Sequence, residues 1–207
     1  MGLTNRVDPL GRLFATPEHG LFLGNRGGRF HDPATRSVRG RLYASKAWIC
    51  CRLAFKGRKR SVWSQGYTEL FFADEVSALA AGHRPCFECR REEAVAFAEA
   101  WGRAEGRLPT APDMDAMLQA ERIGPRPGYA KRLHSMPDGT PPDGTMALSG
   151  GRLLAFDRGG VRNWSFAGFG PVRSWKPDAD CAMVTPPAIV AVLAALPAAL
   201  AAGGGLI

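Results

Sequence analysis

Two cysteines separated by two residues, Cys86 and Cys89, constrain this chain more than any other feature. They close the run Ala78-Leu79-Ala80-Ala81-Gly82-His83-Arg84-Pro85-Cys86-Phe87-Glu88-Cys89-Arg90, which joins a helix, a glycine stop and a tight turn. Asp74 and Glu75 place negative charge where a first helical turn favours it, and Val76, Leu79 and Ala80 follow at helical spacing. Gly82 suits a left-handed C-cap, and Pro85 keeps the helix from resuming at once. From Arg90 to Gly102 the pattern is helical again, with Ala94, Phe97, Ala98 and Trp101 on one face. The two thiols therefore sit in a turn at the mouth of a second helix, whose N-terminus favours thiolate over thiol. Both sulfurs can reach one ion, which makes half of a tetrahedral zinc site.

With 207 residues, 45% of them apolar, the chain can build one generous domain or two small ones. Met1 to Gly11 holds Arg6 and Asp8 and no apolar stretch of signal-peptide length. The apolar run Ala188 to Ala202 is alanine-rich and broken by Pro197, so a packed terminal helix is expected there and no membrane partner. Five cysteines without an export signal point to a reducing cytoplasm, as thiols or metal ligands rather than disulfides.

The net charge of +8 is unevenly spread. Between Arg26 and Arg60 there are eleven basic residues and one acid, Asp32, so that stretch carries +10 and the remainder −2. Such a segment points to a polyanion, nucleic acid first and DNA before RNA. The candidate contacts are Arg26, Arg29, Arg36, Arg39, Arg41, Arg52, Lys56, Arg58, Lys59 and Arg60. A preference for arginine in the underlying gene would explain Arg over Lys, but not the missing acids.

The expected fold class is α+β. Short strands are expected over Gly20–Gly24, Lys46–Phe55 and Tyr67–Phe72, with Arg60–Trp63 as a hairpin return for the second. Between Gly20–Gly24 and Lys46–Phe55, the turn Asn25-Arg26-Gly27-Gly28-Arg29 has amides and guanidinium groups that suit a phosphate. Composition shifts to Gly, Pro and Thr over Arg103–Pro112, dividing residues 1–105 from a C-terminal part, 113–207, either separate or packed with the first as one domain. In the latter a helix to Ile123 precedes strands over Met146–Leu148, Leu153–Phe156, Val161–Phe166 and Cys181–Val184. That small antiparallel part ends in a helix opened by Thr185-Pro186-Pro187, with Thr185 as N-cap.

The run from Phe71 through Ala78-Leu79-Ala80-Ala81-Gly82 to Arg84-Pro85-Cys86-Phe87-Glu88-Cys89 resembles the second half of the Ada-type metal-binding domain. Cys51-Arg52 resembles the start of that family's first motif, so the likeness covers about residues 46–92. It implies a small zinc-stabilised strand and helix module, with Cys51, Cys86 and Cys89 as zinc thiolates. It also implies a possible alkyl transfer from a DNA phosphotriester to Cys51. The family's second cysteine falls at Phe55 here, which leaves the fourth ligand to Cys50, a histidine or nothing. On a strand Cys50 and Cys51 face opposite ways, and His83 stands where the family has an aromatic. His31, beside Asp32, is the preferred fourth ligand, by elimination.

The function that follows is a zinc protein binding nucleic acid through residues 26–60, its zinc structural. The alternatives are a zinc-thiolate alkyl-transfer enzyme using Cys51, or an adaptor for a protein partner. Cys181 reads as core, and His19 and His134 lie in no metal-like context. Trp164, Phe166, Phe169 and Trp175 read as core of a small sheet before they read as base-stacking residues.

Overall fold

The computed structural model describes residues 2–59, 61–124, 130–176 and 178–196. Two short strands open the chain, β1 (Arg6–Val7) and β2 (Leu13–Phe14). Then come β3 (Phe22–Arg26), the hairpin of β4 (His31–Asp32) with β5 (Ser37–Val38), and β6 (Trp48–Arg52). β7 (Leu70–Phe72), helix α1 (Glu75–Ala80), β8 (Arg84–Pro85) and helices α2 (Arg91–Glu105) and α3 (Ala111–Arg122) follow. The remainder is β9 (Met146–Ser149), β10 (Arg152–Asp157), β11 (Gly160–Ser165), β12 (Gly168–Phe169), β13 (Ala182–Met183) and helix α4 (Pro187–Ala195).

The fold is mixed α+β, as expected, with two main sheets. One has six strands in the order β2-β1-β7-β3-β6-β8, parallel where β1 meets β7 and where β6 meets β8. The other is a five-stranded antiparallel sheet, β12-β11-β10-β9-β13.

Helix α1 is the hub, and its small residues explain why. All six of its residues are buried. Ala78 and the adjoining Ala81 pack with Val7, Leu70 and Phe72 of the first sheet; Val76 and Ala80 pack with Met146 and Ala155 of the second. Leu79 enters a third cluster with Phe97, Trp101, Met114, Leu118 and Ile189 from the other helices. A helix pressed from three sides takes small residues where the sheets come closest, as at Ala78 and Ala80. Residues on both sides of 103–112 thus share cores.

Helix ends follow local chemistry. The Asp74 carboxylate accepts the Ser77 amide at 2.6 Å as N-cap of α1, and Gly82 beyond its end has φ 86°. A Cβ at Gly82 would also stand 2.8 Å from Arg122 Cδ, so two constraints require glycine there. Thr110 and Asp113 form a capping box on α3.

Two expectations fail. Arg60–Trp63 supplies no strand among the described residues: Trp63 is buried with φ 56°, and donates its amide to Glu69 Oε2 at 2.9 Å and its indole N–H to Glu69 O at 2.8 Å. Thr185 is not the N-cap of α4, because its hydroxyl accepts the Met146 amide at 2.8 Å and Pro186 takes the cap position. The expected end of the terminal helix beyond Leu196 lies outside the described residues.

Candidate metal centre

Strand β6 and the turn after β8 build the centre. Alternation along β6 sends Cys50 inward beside Val7, Leu70 and Phe72, and sends Cys51 to the other face beside Leu23 and Cys86. The parallel register pairs Cys50 with Pro85, and the Cys86 amide donates to Cys50 O at 3.0 Å. The turn closes with Arg90 N donating to Cys86 O at 2.9 Å. These constraints place the sulfurs of Cys51, Cys86 and Cys89 within 4.8 Å of one another.

Three thiols this close can hold a metal ion, and their surroundings fit one. The Glu88 amide donates to Cys86 Sγ and the Arg52 amide to Cys89 Sγ, each at 3.4 Å. Such N–H groups favour thiolate. The hydrogen bond from Cys51, helped by backbone amides, lowers Cys86 to about 5. The same bond, then burial, pushes Cys51 up, and burial pushes Cys89 up. Without a cation the cluster holds one negative charge readily; ionising all three sulfurs together needs a positive charge among them.

A buried ion pair holds the turn in place from below. Arg90 Nη2 meets Glu75 Oε1 at 2.6 Å, and its Nη1 meets Cys50 Sγ at 3.4 Å. Arg90 Nε reaches Glu93 Oε1 at 3.4 Å, and Glu93 in turn meets Arg52 Nη2 at 3.2 Å. This network ties α1, α2 and β6 together under the thiols. Sequence reading missed it: the i,i+3 spacing of Arg90 and Glu93 was visible, but Glu75 is reached only through the tertiary fold.

His31 is not brought to the cluster. Its Nδ1 lies 2.8 Å from Thr68 Oγ1 and its Nε2 2.8 Å from Ser64 O. The carbonyl can only accept, so Nε2 carries the proton and Nδ1 accepts from the threonine hydroxyl, whose oxygen also accepts the Phe30 and His31 amides. Both ring nitrogens are engaged, and the ring stacks on Trp63 at 5.4 Å. Cys50 is also outside the cluster, with its thiol pushed up chiefly by burial. His83 is a core histidine, 4.7 Å from Phe72 and 5.0 Å from Trp48. His134 Nε2 lies 2.8 Å from Glu121 O.

The candidate nucleic-acid contacts divide. Arg26 points inward and is fully buried, donating to Gly11 O at 2.9 Å and Leu42 O at 3.2 Å. It cannot meet a phosphate, and the Asn25–Arg29 turn loses one of its two guanidinium groups. Arg29, Arg36, Arg39, Arg41, Arg52, Lys56, Arg58 and Lys59 are exposed, and Arg60 lies outside the described residues. Arg29 leans on Gln65 and Arg36 on Val62 O, whereas Arg58 pairs with Glu88.

No protein family, curated protein or solved structure matches this chain. Among the described residues, no helix is long and apolar enough to cross a membrane.

Proposed function

We propose that Cys51, Cys86 and Cys89 bind zinc, in a module of the Ada type, and that the protein grips a nucleic-acid backbone beside that centre. One observation carries the reading: Arg58 with Glu88 and Arg52 with Glu93 fold the basic loop 53–59 back against the Cys86–Cys89 turn. Exposed cations thereby stand next to Cys89, the most open of the three thiols. Thiolate donors suit a soft or borderline divalent ion, which when bound would stiffen the turn and the strand beside it. Phosphate contacts from the rim would make binding salt-dependent and indifferent to sequence, with DNA the first polymer to try. A reducing compartment such as the cytoplasm keeps such thiols available.

The test measures metal by elemental mass spectrometry and DNA binding against salt. One zinc per chain is expected in the wild type, and little in Cys51→Ser and Cys86→Ser. Replacing Arg39, Lys56 and Lys59 together by alanine should flatten the plot of log affinity against log salt by about 0.9 for each phosphate no longer neutralised. Metal-free wild type prepared without chelators would sink the zinc reading, and an unchanged salt slope the backbone reading.

A second reading draws on the ligand count. Three thiols leave a fourth position to an outside group, and a site with an open position can do chemistry. Alkyl transfer would form a bond from Cys51 sulfur to the alkyl carbon and break that carbon's bond to oxygen, releasing a phosphodiester anion. Against it, Cys51 is only 8% exposed. Incubation with alkyl-phosphotriester DNA decides: this reading requires one alkyl mass on Cys51.

A further inference from the structure

A cleft of about 680 Å³ lies between the hairpin of β1 with β2 and the edge of the α1-facing side of the second sheet, away from the thiols. That volume falls within the range of small-molecule sites. Its walls are Leu10, Phe14, Leu148, Leu153, Trp164 and Phe166, and Arg12 and Arg152 stand among its lining.

Hydrogen bonds hold two of the walls. Asp8 accepts the Arg12 amide at 2.8 Å and Arg12 Nε at 2.7 Å, and Gly11, with φ 75°, donates to Asp8 O at 2.8 Å. These bonds clamp the β1–β2 loop. Opposite, the Trp164 indole N–H donates to Asp74 Oδ2 at 2.9 Å, which locks the ring to the start of α1. Phe166, in the turn between β11 and β12, lies edge-on to Trp164 at 5.0 Å and to Phe14 at 5.5 Å. Phe14 is 37% exposed, and although Arg12 lies over its ring at 5.4 Å, part of this aromatic surface stays open to solvent instead of closing as core.

The lining cations complement this floor. The Arg152 side chain is 61% exposed, its nearest acid, Asp178, 3.7 Å away. The Arg12 side chain is 58% exposed, gives Nε and Nη2 to Asp8, and sets its Cζ 5.4 Å from the Phe14 ring centroid, which leaves Nη1 without a hydrogen-bond partner among the described residues. Fixed aromatic rings stack on planar rings, and guanidinium groups bind phosphate with directed hydrogen bonds. We infer that this cleft binds a nucleoside monophosphate unit, its base against Phe14 and Phe166 and its phosphate toward Arg12 and Arg152. The unit is either a free nucleotide or an unstacked nucleotide of a single strand; only the second source rests on the nucleic-acid reading above.

Calorimetric titration with adenosine monophosphate, adenosine, inorganic phosphate and a short deoxyadenosine oligonucleotide tests it. The wild type should bind the nucleotide or the oligonucleotide saturably, and phosphate alone should not bind. Phe166→Ala, in an exposed turn, should weaken binding about tenfold. Arg152→Glu should weaken the phosphorylated ligand and leave adenosine unchanged, with circular dichroism confirming the fold of both variants. A free-nucleotide site shows saturable monophosphate binding; a strand site binds only the oligonucleotide, still weakened by Phe166→Ala. Oligonucleotide binding that responds to Arg39→Ala and Arg41→Ala but to neither cleft variant overturns the cleft and leaves the backbone reading standing. Nucleotide binding without oligonucleotide binding does the reverse. No saturable binding of either ligand overturns the cleft.

Discussion

Strand β6 separates two clusters of opposite electrical need. On one face Cys51 joins Cys86 and Cys89, three sulfurs that cannot all ionise without a cation. On the other, Trp48 lies between two guanidinium groups, with Cζ of Arg26 4.1 Å and of Arg122 4.0 Å from its ring centroid. His83 and Lys131 complete this second cluster, which holds cations already. It manages them by two routes. Groups that can give up a proton are driven to do so: burial, then Arg26 and Arg122, push His83 well below its usual value. Burial, then Arg122 and Arg26, lower Lys131 to about 7. The arginines cannot. They rest on the faces of Trp48 and on carbonyls, Arg122 on Gly82 O at 2.8 Å and on Lys46 O. The difference teaches that one basic stretch serves two ends, its charge outward at Arg39 and Lys56 and inward at Arg26.

The largest expected effect falls on the thiol face. Cys86→Ser should abolish metal binding and lower the melting temperature by about 10 °C, a few kcal/mol in a chain of this size. A strong chelator should do the same to the wild type and nothing further to the variant. The loss should stay below the ~10–16 kcal/mol that zinc contributes to finger peptides lacking other cores, because Phe97, Leu118 and Ile189 belong to a core that the turn only borders, through Phe87. Global unfolding on chelation would show that the two faces are not separable.

Arg122→Met tests the other face. It fills similar volume but leaves the carbonyls of Gly82 and Lys46 and the Gln119 side chain without their donor. At about 1–3 kcal/mol for an unsatisfied buried group, a loss near 3 kcal/mol is expected in urea unfolding. Metal content should not change. Arg122→Lys should fail to rescue stability, since an ammonium can neither stack flat on Trp48 nor span three acceptors. Metal loss in Arg122→Met would join the two clusters into one unit.

Much of the thiol centre was legible because its determinants are local. Cys86, Cys89, the Gly82 stop and the flanking helices lie in one run, and their spacing alone sets the turn. Cys51 entered through a resemblance, and the structure brings its sulfur to the other two. His31 was misplaced because elimination has no geometry in it: nothing near it in sequence shows that Thr68 and Ser64 occupy its ring. The Trp48 cluster was illegible for a related reason. Arg26, His83, Arg122 and Lys131 converge from four separate segments, and a charge count places every arginine on the surface by default. The aromatics of the second sheet sit between these cases: Trp164 and Phe169 do pack on the sheet core, yet Trp164 also walls an open cleft.

Lys131, half-buried with its ammonium donating to Ala80 O, gives a smaller effect with a definite sign. Its folded value, about 7, lies below the ~10.4 of an unfolded lysine. Between those values the unfolded chain binds the proton and the folded chain does not, so stability rises with pH across that window. Below pH 7 both states are protonated and the cost of burying the charge is fully present. The charged groups that bear on the lysine are Arg122, Arg26, Glu121 and Asp8. Lys131→Met should flatten the rise between pH 7 and 10 and be at least as stable as wild type at pH 6, despite losing the 2.7 Å bond to Ala80 O. A slope equal to wild type's would mean that the ammonium reaches water in the folded state.

The smallest effect on stability separates backbone from side chain at the thiol centre. Arg52 touches the cluster through its amide, which donates to Cys89 Sγ, while its guanidinium extends outward to Glu93. The Arg52 side chain is 55% exposed, so the pair should contribute no more than about 1 kcal/mol. Arg52→Ala keeps the amide and should keep the metal, with a melting temperature within a few degrees of wild type. On the proposed nucleic-acid reading its DNA affinity should still fall, and the salt slope should drop by about 0.9 if the guanidinium meets one phosphate. An unchanged slope would take Arg52 out of the interface and leave it a tether for Glu93. A lost metal would mean that the guanidinium network, and not the amide alone, holds Cys89 in position.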